Sequence, residues 1–129
     1  MQGYREAVSC SVASISRVRR GVREFARAGF SGQGLTDVEL AVGEALANSA
    51  EHGRAAEIRI HCWFTRISLV VEIQDDGEGF SDSSLLDRPR HPHDPAPRGY
   101  GLLIMRHSMD RVEFTDRGRR VRLTKLLTR

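Results

Sequence analysis

Little in this sequence staples it, embeds it in a membrane or marks it as a familiar catalyst. Cysteine occurs twice in 129 residues, at Cys10 and Cys62. The first residues, Met1-Gln2-Gly3-Tyr4-Arg5-Glu6, lack the charged start and apolar stretch of a signal peptide. Two lone thiols in such a chain are expected to be reduced, small core residues rather than a disulfide or metal pair. No apolar run approaches the roughly 20 residues that span a bilayer, so a cytoplasmic protein without membrane contact is expected. The five histidines form no zinc signature. His52 falls near Glu44 and Asn48, while His91 and His93 lie among prolines with no cysteine nearby. The chain has no Gly-x-Ser-x-Gly motif, no Gly-Lys-Ser/Thr phosphate loop, no dinucleotide fingerprint and no eukaryotic-type kinase signature.

What is present suits one globular domain. The chain is 40% hydrophobic and 29% charged, and its length allows a single core but not two ordinary ones. The net charge is +3. Arginines cluster at Arg17, Arg19, Arg20, Arg23 and Arg27, and again at Arg117, Arg119, Arg120 and Arg122. Such clusters can be a nucleic-acid footprint. The first, however, is interleaved with Ile15, Val18, Val22, Phe25 and Ala26 at helical spacing, as a solvated helix face is. No direct nucleic-acid contact is therefore expected, and an acidic protein partner is the alternative.

Periodicity divides the chain. Residues 4–11 alternate loosely, as an edge strand would. Val12 to Ala28 has apolar residues every three to four positions and stops at Gly29. Ser31-Gly32-Gln33-Gly34 reads as a turn, and Thr36 or Asp37 can cap a second helix running to about Glu51, with Val38, Val42 and Leu46 on its core side. Ile58, Ile60, Cys62 and Phe64, then Ile67, Leu69, Val71 and Ile73, alternate with other residues as two strands of a hairpin joined at Thr65-Arg66, with Asp75 just after the second. All four prolines fall within residues 81–98, which read as a long functional loop. Tyr100 to Ser108 is a helix, and Arg111–Thr115 with Arg120–Leu127 is a last hairpin around Asp116-Arg117-Gly118-Arg119. Antiparallel connections dominate, which predicts an α+β two-layer sandwich with helices on one face of the sheet.

Three segments carry chemistry. Glu44 and Asn48 are one helical turn apart and share a face. The carboxamide oxygen suits magnesium, and the carboxylate can accept a proton from a hydroxyl or water. Asp75-Asp76-Gly77-Glu78-Gly79-Phe80 follows an apolar strand. There a carboxylate can accept a hydrogen bond from an exocyclic amine such as the adenine N6, while two glycines allow close approach of a flat ring. Asp75 is the first choice and Asp76 the alternative. Arg98-Gly99-Tyr100-Gly101-Leu102 opens a helix, whose first amides bind phosphate well, beside a cation. Each segment alone is a common structural pattern: an exposed helix face, a turn, a flexible helix start. Their order and spacing in one small domain favour a magnesium-nucleotide site.

With these residues in view, the chain resembles the anti-sigma factor serine/threonine kinases. They belong to the Bergerat-fold superfamily, shared with histidine kinases, Hsp90-type chaperones, gyrase B and MutL. Glu44-Ala-Leu-Ala-Asn48-Ser-Ala-Glu-His52-Gly53 resembles the N box, the Asp75 segment the first glycine box and the Arg98 segment the second. Met109-Asp110-Arg111-Val112-Glu113-Phe114 resembles the sequence that follows in this family. The resemblance implies a histidine-kinase-like ATP-binding domain over residues 1–129, with ATP and Mg2+ as cofactors. Glu44 would be the general base, Asn48 the magnesium ligand and Asp75 the adenine anchor. Gly77, Gly79 and Leu102 would join the nucleotide site, and residues 81–98 would form a lid closed on phosphates by Arg98, Gly99 and Gly101. It further implies phosphorylation of an anti-anti-sigma protein, sequestration of a sigma factor and a homodimer. One departure stands out. The family often has Gly-Thr in the final hairpin, with the threonine near the adenine, where this chain has Gly118-Arg119 and, further on, Thr124. Two other readings remain open: a nucleotide-responsive binding module without phosphotransfer, and a switch kinase of a signalling scaffold that binds no sigma factor.

Overall fold

The computed structural model describes residues 3–51, 56–77 and 100–127. Chain order is β1 (Tyr4–Ser9), α1 (Val12–Ala26), α2 (Gly32–Glu51), β2 (Glu57–Phe64), β3 (Ser68–Asp75), α3 (Tyr100–Ser108), β4 (Arg111–Thr115), a 3-10 turn (Asp116–Gly118) and β5 (Arg120–Leu126). The strands form one antiparallel sheet in the order β1-β2-β3-β5-β4, so the strand expected at the edge is there.

Strand alternation sorts the side chains onto two faces. Ile58, Ile60 and Cys62 of β2 pair with Asp75, Ile73 and Val71 of β3, and Val121 and Leu123 of β5 continue the row. Val18 and Val22 of α1, Val38, Val42 and Leu46 of α2, and Leu102 and Met105 of α3 complete the core on this face. Burying each such side chain contributes about 1.5–3 kcal/mol before entropy is set against it. The opposite face carries Arg59, His61, Glu72, Gln74 and Arg122, as a solvated sheet face does. The α+β sandwich predicted from the strand pattern is the fold observed.

Local chemistry explains the boundaries. Ser11 caps α1, its Oγ accepting from the Ser14 amide at 3.1 Å. The β2–β3 turn is closed by Thr65, whose Oγ1 accepts from the Ser68 amide at 2.9 Å. The structure corrects the start of α2. The stretch read as a turn at Ser31–Gly34 is its first turn from Gly32 onward, with the Leu35 amide donating to the Ser31 carbonyl at 3.4 Å. Burial of Phe30 and Leu35 outweighs the low helix propensity of the two glycines. Asp75 is likewise the last residue of β3 rather than the one after it.

Lys125 sets the position of the helical layer. Its Nζ donates to the Ser108 carbonyl at the end of α3 at 2.8 Å and lies 3.5 Å from Asp37 near the start of α2. The last carbonyls of α3 thereby gain a cation. Both helices are tied at this end, opposite Leu69 at the start of β3, and their other ends meet about 10–16 Å further along.

Candidate functional site

At that far end α3 presses its first turn on α2. A Cβ built on Gly101 would lie 2.9 Å from Glu44 Oε1 and 3.5 Å from Asn48 Oδ1. A larger residue there would force the Glu44 carboxylate to shift, so glycine lets the main chain of α3 approach these two polar groups with the carboxylate where it stands. Gly101 of the second glycine segment and the Glu44/Asn48 pair, more than fifty residues apart in sequence, are one constellation. Asn48 is buried at 9% exposure, and its Nδ2 has no hydrogen-bond partner. Glu44 is half-buried and lines a cleft of about 410 Å³ with Arg19, Leu40 and Gly43, between α1 and α2.

Asp75 stands at the corresponding end of the sheet, about 20 Å along β3 from the Lys125 end, on the face the helices cover. It is 6% exposed. Its Oδ1 accepts from the Gly77 amide at 2.8 Å, while its Oδ2 is buried without a partner. Asp76 is spent otherwise: its Oδ1 accepts from the Ala56 amide at 2.9 Å and the Glu57 amide at 3.0 Å, which ties β3 to the start of β2. The Glu57 and then the Ala56 amide hold the Asp76 carboxyl below its ordinary range. Of the two adjacent acids, Asp75 is therefore the one whose unpartnered oxygen is buried, while Asp76 is exposed.

The other predicted residues divide. Gly77 donates to Asp75 and lies beside it. Leu102 is 1% exposed and its side chain packs in the core. Gly79, Arg98, Gly99, His52 and the 81–98 loop lie outside the described residues. Thr124 pairs with Val70 near the start of β3, at the opposite end from Asp75. Sequence reasoning missed what stands opposite Asp75. The Asp75 amide donates to the Arg119 carbonyl at 2.8 Å, and Arg119 in turn grips Asp116. The Asp-x-x-Arg spacing in the final turn was the available signal.

Arginines read as possible nucleic-acid contacts are largely matched with acids: Arg17 with Glu6 and Arg23 with Glu39 at 3.1 Å, and Arg122 with Glu72 at 2.8 Å. Among the described residues no cluster of three or more His, Cys, Asp or Glu could cage a metal. An ion here would need oxygens from a ligand beside that of Asn48, as magnesium bound with a nucleotide has. Both cysteines are free, Cys62 in the core and Cys10 half-buried. Burial pushes the Cys62 thiol up to about 12. Among the described residues no helix is long and apolar enough to cross a membrane.

Residues 8–125 match the family described as histidine kinase-like ATPase domain. The chain is 29% identical over 100 residues to serine-protein kinase RsbW of Oceanobacillus iheyensis, covering 70% of this chain and 63% of that protein. It thus spans less than two thirds of that relative's length. It is 32% identical over 102 residues to anti-sigma F factor of Clostridium novyi, covering 72% of this chain and 71% of that protein. With serine-protein kinase RsbW of Listeria monocytogenes it shares 30% identity over 113 residues, 78% of this chain and 71% of the relative. The match runs from the first strand to the last and takes in Glu44, Asn48, Asp75 and Gly101; the chain belongs to the histidine kinase-like ATPase domain family, on its anti-sigma factor kinase branch.

Proposed function

We propose that this chain is an ATP-dependent serine/threonine protein kinase and anti-sigma regulatory factor, which phosphorylates an anti-anti-sigma protein and sequesters a sigma factor in the cytoplasm. Two features carry the reading. One is the Glu44/Asn48 pair held against Gly101; the other is the buried, unpartnered Oδ2 of Asp75. The relatives' names, serine-protein kinase and anti-sigma F factor, support the same activity.

In this reading Asp75 accepts the adenine 6-amine through Oδ2, and its Oδ1 bond to Gly77 keeps that oxygen in place. Asn48 offers its amide oxygen to magnesium; the amide can present either atom by a half-turn of its terminal torsion. Bound there, the ion would neutralise phosphate charge and align the γ-phosphoryl group for in-line transfer. The first turn of α3, approached closely through Gly101, donates main-chain amides to phosphate oxygens. Glu44 accepts the proton of a serine or threonine hydroxyl as its oxygen bonds to the γ-phosphorus and the bond to ADP breaks. The cleft beside Glu44 gives a protein substrate access to that carboxylate. Arg98 and Gly99 would close on the phosphates from the 81–98 loop, and Gly79 would complete the base site. A homodimer is the proposed assembly.

The test is calorimetry with ATP, with and without magnesium, followed by transfer of γ-labelled phosphate to candidate anti-anti-sigma proteins. Magnesium-dependent binding and transfer to serine or threonine are expected. Binding without transfer to any partner would favour the binding-module reading, and no binding at all would overturn the nucleotide site.

A further inference from the structure

Asp75 is held from both sides, and the two holds differ in kind. Toward β2, Asp75 pairs with Ile58 in the ladder, and the neighbouring Asp76 carboxylate takes the Ala56 and Glu57 amides. Toward β5 it is a single main-chain bond, from the Asp75 amide to the Arg119 carbonyl. That carbonyl comes from a turn with unusual backbone. Asp116, Arg117 and Gly118 have φ of 51°, 58° and 82°, three successive residues in the left-handed region. Two of them carry a Cβ, for which this region is unfavourable. Left alone, such a turn would relax and carry the Arg119 carbonyl with it.

The Thr115–Arg120 rung of the β4–β5 ladder closes the turn, and within it the Asp116–Arg119 pair opposes relaxation. The Arg119 amide donates to the Asp116 carbonyl at 3.0 Å, its Nη2 to Asp116 Oδ1 at 3.2 Å and its Nε to Asp116 Oδ2 at 3.4 Å. The planar guanidinium fork and the carboxylate fix each other's orientation, which a lysine or a neutral partner would do less well. The pair also borders a cleft of about 400 Å³ that reaches Asp75 and Gly77.

We infer that the Asp116–Arg119 pair is a positioning device for the nucleotide site: by locking the turn it fixes the Arg119 carbonyl, and through that bond it aims the free oxygen of Asp75 at the base. Arg119 is a positioning residue that need not touch the nucleotide. The inference rests on the reading of Asp75 as acceptor of the adenine 6-amine.

Two nucleotides separate this role from general structural damage: ATP, and purine riboside triphosphate, which has hydrogen in place of the 6-amine. Binding of both is measured by calorimetry for the wild type, Arg119→Met and Asp116→Asn. The second variant keeps a residue type that tolerates left-handed φ, so the turn can still form. The wild type is expected to prefer ATP by about tenfold or more. Each variant should lose about three- to tenfold for ATP and less than about twofold for the amine-free analogue, so that the preference collapses. Arg119→Lys should recover part of it. Variants that keep the full preference, or lose both nucleotides equally, would overturn the inference. A wild type that binds both nucleotides alike would overturn the assignment of Asp75 itself.

Discussion

At one end of the helical layer Lys125 reaches the Ser108 carbonyl at 2.8 Å and the Asp37 carboxylate at 3.5 Å, and Asp110 takes the Leu126 amide at 2.7 Å. At the other, Asp75 and Asn48 each keep a buried polar atom without a partner. The first end spends charge on joining elements, with the Ser108 hydroxyl its one buried exception among these groups. The second withholds hydrogen-bonding capacity from the fold. A chain gains nothing in stability from a bare buried carboxylate oxygen, and this difference is the one expected between a structural end and the ligand site proposed above.

The sharpest way to break this contrast is at Glu44. Glu44→Ala should lower the phosphotransfer rate by about 10²–10⁴-fold, the range of a lost general base, while calorimetric ATP affinity changes less than about twofold. Undiminished transfer would remove Glu44 from the chemistry. Next comes Asp75→Asn. Replacing the charged acceptor should weaken ATP binding by about 10- to 100-fold. Without nucleotide the variant should melt no lower than the wild type, because the amide oxygen can still accept from Gly77 and the buried Oδ2 has no partner to lose. A lower melting temperature in the apo form would show that Asp75 belongs to the structural end after all.

Lys125→Met probes the other side of the comparison. It removes the donor to the Ser108 carbonyl and leaves Asp37 with only its Gln33 partner, and should cost about 1–3 kcal/mol in urea unfolding, with a smaller effect on ATP affinity than Asp75→Asn. The core between the ends has a pH signature of its own. The Cys62 thiol is pushed up to about 12 from an ordinary 9.0. The unfolded chain therefore releases this proton first, and stability should fall as pH rises from about 9 toward 12, by at most about 1.4 kcal/mol per pH unit. Cys62→Ser should flatten that part of the profile. The smallest effect is expected on the uncovered sheet face, where breaking the exposed Arg122–Glu72 pair should cost under about 1 kcal/mol by a double-mutant cycle.

Much of this contrast is already legible in the residue order. Alternation at Ile58–Phe64 and Leu69–Ile73 gives the central hairpin, and the four-residue spacing of Glu44 and Asn48 puts them on one helix face, because both are local consequences of backbone geometry. The first turn of α2 was not legible. Gly32 and Gly34 argue for a turn locally, and the burial of Phe30 and Leu35 that overrides them comes from distant elements. Nor did the Asp75-Asp76 pair say which acid stays available. That follows from β2 lying alongside, where the Ala56 and Glu57 amides occupy Asp76.

Local pattern thus settled the elements, the antiparallel architecture and the candidate chemical groups, since periodicity and turn residues act over a few positions. Folding alone brought Gly101 against Glu44 and Asn48, left Asp75 Oδ2 buried and unpaired, and placed the Arg119 carbonyl behind Asp75. Each of these joins residues remote in sequence, and such contacts depend on how the helices and strands pack, which no short stretch of chain encodes.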